Sequence, residues 1–178
     1  MVLASIRKIS GKIKLERIKP KKSVKPVSFS KIESIGFLFY LNDPAHIRYL
    51  QKVQNHPFLT GKKISILCWL KSNKKQPHPV VEGINFIDRP DFNVNFLPTS
   101  KTVKFFCDQP FDLLIDLTLE DHFPIHAIAV LSKANFKAGI FYKKNKHSHL
   151  KIMLSPDKKK NSTILFEQTL IYLQQLFS

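Results

Sequence analysis

Short apolar runs alternate along the chain with polar, proline-containing stretches, and that alternation predicts strands buried on both faces between amphipathic helices. SIGFLFYL (34–41) and ISILCWL (64–70) are the first two such strands. Between them Asn42 or Asp43 can cap a helix, Pro44 suits its first turn, and AHIRYLQKVQNH carries it to a stop at Pro57. After the loop KSNKKQPHP, GINFI (83–87) and a weaker FNVNF (92–96) read as short strands, and Thr99 or Ser100 caps a helix through Phe106. FDLLIDLT (111–118) is the strongest strand signal. Pro124 opens a helix to about Ala134, and NFKAGIFY (135–142) and HLKIMLS (149–155) are the last strands. A final helix runs from Ser162 or Thr163 to Phe177, with Ile164, Leu165, Leu170, Ile171 and Leu173 on its apolar face.

Strands alternating with helices give βαβ units, so the expected fold is α/β: a three-layer, Rossmann-like or flavodoxin-like, mainly parallel sheet. The strands at 135–142 and 149–155 stand too close for a crossover and predict an antiparallel edge hairpin. Upstream, Val2, Ile6, Ile9 and Ile13 recur at helical spacing among basic residues, interrupted by Gly11, and IKPKKSVKPVSFS reads as a linker. Residues 1–30 are thus expected to be a basic amphipathic helix and linker, dispensable for folding, and 31–178 a single α/β domain.

The size, 178 residues with 43% apolar, leaves room for one core. No run is long and apolar enough to span a bilayer and no signal-peptide pattern opens the chain, so a cytoplasmic protein is expected. Cys68 and Cys107 lie in apolar runs without Cys-x-x-Cys spacing and read as buried reduced thiols.

Charge changes the picture. The net charge is +16, with +9 in residues 1–31 and +6 in residues 143–160, while the stretch between is nearly neutral. An excess this segregated favours anionic partners. The anion-binding candidates are Arg7, Lys8, Lys12 and Lys14 in the arm, and Lys143, Lys144, Lys146, Lys158, Lys159 and Lys160 further on. Lysine outnumbers arginine 25 to four, which also fits codon bias in an AT-rich genome and supplies point charges rather than bidentate readout.

In a parallel sheet, ligands bind outside the carboxyl ends of the strands. The first such loop, LNDPAH, lacks glycine and cannot cradle a pyrophosphate, and no Walker A or G-x-S-x-G sequence occurs. The ligand-site candidates are Asn42, Asp43, Asp116, Thr118, Glu120 and His122. Asp116 stands out because a carboxylate inside an apolar strand is costly without partners. It reads either as an acid/base or cation-binding group, or as a cap for neighbouring backbone, with Asp121 capping the next helix. Pro124 breaks the helical pairing of His122 with His126, and His147 and His149 sit among lysines, so no metal site is expected. No cofactor motif is present, and no catalytic group is identified.

The segments SIGFLFYL, QPFDLLIDLTLEDHFPIHAIAVLSKANFKAGIF and the C-terminal helix resemble a family of small uncharacterised proteins of Bacteroidota bacteria, over roughly residues 30–177. That resemblance implies a bacterial cytosolic setting and assigns no activity. The phrase FDLLIDLT, helix, FKAGIF with Gly139 is also similar to one half of a heptosyltransferase-like glycosyltransferase, which implies a Rossmann-like fold without complete transferase activity. The expected function is a non-enzymatic accessory factor that binds RNA or a ribonucleoprotein through its lysine-rich segments. The alternatives are peripheral attachment to an anionic inner-membrane surface through the N-terminal helix, and a small-molecule-binding or enzymatic domain centred near Asp116.

Overall fold

In the structure, a computed structural model, residues 10–15, 28–71, 78–140, 152–154 and 162–177 are described. Six strands are present among them: β1 (Ser34–Leu41), β2 (Lys63–Leu70), β3 (Ile84–Ile87), β4 (Leu113–Asp116), β5 (Phe136–Ile140) and β6 (Ile152–Leu154). They form one sheet in the order β3-β2-β1-β4-β5-β6, and every neighbouring pair is parallel. This is the strand order of a Rossmann sheet. The helices are α1 (residues 10–15), α2 (Ile47–Gln54), α3 (Lys101–Asp108), α4 (Phe123–Leu131) and α5 (Ser162–Phe177). No helix among the described residues is long and apolar enough to cross a membrane.

The unbroken apolar character of β1 follows from its cover on both faces. Phe37 and Phe39 point into one core with Leu50 and Val53 of α2 and Leu165, Phe166, Leu170 and Leu173 of α5. Leu38 points into the other, with Val103 and Phe106 of α3 and Ile125 and Ile128 of α4. Ser100 caps α3 as its sequence predicts, its hydroxyl accepting from the Val103 N–H at 3.3 Å. On α5 the buried stripe is Leu165, Phe166, Thr169, Leu170 and Leu173, while Ile164 and Ile171 are exposed. Thr169 joins that stripe because its hydroxyl donates to the Leu165 carbonyl one turn back, at 2.6 Å.

Three expectations need correction. The edge pair β5–β6 is parallel, with Ala138 opposite Ile152 and Ile140 opposite Leu154, not an antiparallel hairpin. β5 is described to Ile140 and β6 from Ile152, and their parallel pairing requires the chain between them to cross from the carboxyl to the amino edge. In consequence the chain leaves β1, β2, β4, β5 and β6 at the same, carboxyl, edge of the sheet. FNVNF is not a strand but a turn: the Asn93 side-chain oxygen accepts from the Asn95 and Leu97 N–H groups, and Phe96 takes a φ of 61°. That left-handed conformation costs a non-glycine residue roughly 1–2 kcal/mol.

The third correction concerns the arm. Residues 10–15 are not detached from the domain, because Leu15, 5% exposed, packs with Phe123, Ala127 and Val130 of α4. Gly11 lies against the Asn95 carbonyl and the Phe123 ring, where a Cβ would collide with the carbonyl and crowd the ring. The helix-weakening glycine is what permits this close approach. Ile13, counted in the predicted apolar stripe, is 46% exposed. The other members of that stripe, Val2, Ile6 and Ile9, lie outside the described residues.

Two lysines of the described chain serve the fold. Lys62 donates to the Phe29 and Ile32 carbonyls, at 3.1 and 2.7 Å, with its ammonium over the Phe29 ring. Lys137 donates to the carbonyls of Ala129, Val130 and Ser132 at the end of α4, where a cation complements the helix dipole.

At the amino edge of the sheet, Asp112 ties the start of β4 to β1. Its Oδ2 accepts from the Glu33 N–H, the Ser34 N–H and the Ser34 hydroxyl, each at 3.0 Å. Burial pushes the Asp112 pKa up, but hydrogen bonds from Glu33, Ser34 and Asn135 outweigh it and hold the carboxyl below its usual range. Asp112→Ala should cost about 1–3 kcal/mol near neutral pH. A depressed folded pKa stabilises above the unfolded value of 3.8 and loses that contribution as pH falls through the folded one. The stability gap between Asp112→Ala and the parent, read from urea denaturation, should therefore narrow in acid.

Candidate functional site

The connection from β1 to β2 runs through α2 on one face of the sheet, and that from β4 to β5 runs through α4 on the other. Because β1 and β4 are neighbours, their outgoing loops diverge and leave a crevice between them at the carboxyl edge, the place where α/β sheets bind ligands. Four of the six sequence candidates meet there as two bonded pairs. The Asn42 side-chain amide donates to Glu120 Oε1 at 2.9 Å, joining the two loops across the rim. The Thr118 N–H donates to Asp116 Oδ1 at 3.0 Å.

Asp116 is the last residue of β4, two positions beyond buried Leu114 and in register with Leu38, so it faces the side covered by α3 and α4. It keeps partial exposure although protein surrounds it. Burial raises its pKa from 3.8 to about 6, and hydrogen bonding from the Thr118 side chain and backbone offsets this only in part. Asp116 thus caps the backbone of the loop that follows β4, one of the two roles its sequence position predicts, while retaining partial exposure.

The remaining candidates divide. His122 is the N-cap residue of α4, a position expected of Asp121, and its ring stands 4.4 Å from Trp69 and 4.5 Å from Tyr40. Asp43 is exposed, and its Oδ1 accepts from the Ala45 N–H at 2.8 Å, serving its own turn. Sequence reasoning does not single out Tyr40 and reads Trp69 as core. Trp69 is indeed 8% exposed, but Tyr40 remains half-exposed and lines the crevice wall. Burial, then the charge of Glu120, raises the Tyr40 pKa, so its hydroxyl stays protonated and available as a donor. The signal that finds it is parity: Tyr40 is two residues beyond Leu38, on the same face, at the end of a parallel strand.

The two loops at this edge are rich in acceptors. Neither the loop from Asn42 to His46 nor that from Leu117 to His122 contains lysine or arginine. Among the described residues no group of three or more His, Cys, Asp or Glu side chains stands close enough to hold a metal ion. Both cysteines are buried, and burial raises their pKa, that of Cys107 to about 12, which keeps them as thiols.

Of the anion-binding candidates, Lys12 is half-buried and Lys14 exposed on α1. Arg7, Lys8, Lys143, Lys144, Lys146, Lys158, Lys159 and Lys160 lie outside the described residues.

The model of a family of unknown function, DUF6913, matches residues 7–176, so the chain belongs to that family. The matched span takes in α1 as well as the sheet. No curated protein and no solved structure matches the chain.

Proposed function

We propose that this member of the DUF6913 family is a non-enzymatic accessory factor that binds single-stranded RNA, alone or within a ribonucleoprotein, through its lysine-rich segments. The observation that carries this reading is the parallel pairing of β5 with β6. An antiparallel hairpin would send the chain out of β6 at the amino edge, far from the segment that follows β5. With parallel pairing, the lysine-bearing segments 141–151 and 155–161 both begin at the carboxyl edge, as does the segment after β2 with Lys71, Lys74 and Lys75. Cationic segments that start from one edge of the sheet favour a phosphate backbone as partner.

Affinity for a uridine-only RNA oligonucleotide should fall linearly with salt on a log–log plot, by about −0.7 per neutralised phosphate. Replacing Lys143, Lys144, Lys146, Lys158, Lys159 and Lys160 by serine should weaken binding and flatten the slope. An unchanged slope, or no binding by the parent, ends this reading. Exposed Ile13 motivates peripheral attachment to anionic membranes as the second reading. In that case Ile6, Ile9 and Ile13 together changed to serine would release the protein from anionic vesicles, with no loss when the six lysines are changed.

A further inference from the structure

We draw no further inference here: the strongest candidate, the exposed apolar stripe of Ile164, Ile171 and Tyr172 on the outer face of α5, carries nothing because nothing in the structure shows what covers it.

Discussion

Asp116→Asn should make the protein more stable near neutral pH, by about 1–3 kcal/mol. The sign follows from the direction of the shift. The carboxyl titrates near 3.8 when unfolded and at about 6 when folded, so between those values the folded protein holds a proton the unfolded chain has released. Stability of the parent accordingly falls as pH rises through that window and levels off above about 6, where a charged carboxylate occupies a site that disfavours it. Asparagine keeps the oxygen that accepts the Thr118 N–H and removes the charge. Urea denaturation near pH 7.5 should show the gain, and near pH 4 the two proteins should converge. A variant less stable than the parent near pH 7.5 would mean that Asp116 is a structural acceptor after all.

A chain truncated to begin at Lys31 should lose about 3–6 kcal/mol, although its charge and prolines advertise a disposable arm. The truncation removes Leu15 from its cluster with Phe123, Ala127 and Val130, and Phe29 from its stack on Phe58 at 4.3 Å. Each buried side chain of that size is worth roughly 1.5–3 kcal/mol. It also strips the cover from Phe123, the residue after crevice-lining His122, so loosening should reach the site as well. Thermal melting measures the loss, and a midpoint within a few degrees of the full chain would show that the arm contributes nothing. Gly11→Val should reproduce part of the effect, by forcing α1 away from Asn95 and the Phe123 ring without removing any residue.

Hydrophobic periodicity reads the face a helix could bury, and on α1 it finds the stripe ending at Ile13. The face actually buried carries Gly11 and Leu15, because docking against the 93–97 turn rewards close backbone approach that hydrophobicity does not measure. The same holds for α5, where Thr169 lies inside and Ile171 outside. For β5 and β6, apolar runs mark where strands lie and not which way they point. The short gap predicts a hairpin, yet the described residues pair in parallel, a direction set by partners across the sheet and not by the runs themselves.

By itself the sequence determined the local matters: which apolar runs are strands, FNVNF excepted, where Ser100 and the prolines start helices, and that an α/β sheet with both faces covered results. It also marked Asp116 as anomalous, since one carboxylate in an apolar strand breaks the pattern that encodes burial. Only the tertiary structure decided the order of strands, the parallel edge and the docking of α1, because these depend on contacts between residues far apart in the chain. Asn42 reaches Glu120, and Tyr40 reaches His122, only once β1 and β4 lie side by side and their loops part to opposite faces. The crevice is a property of that divergence, and no segment of the chain carries it alone.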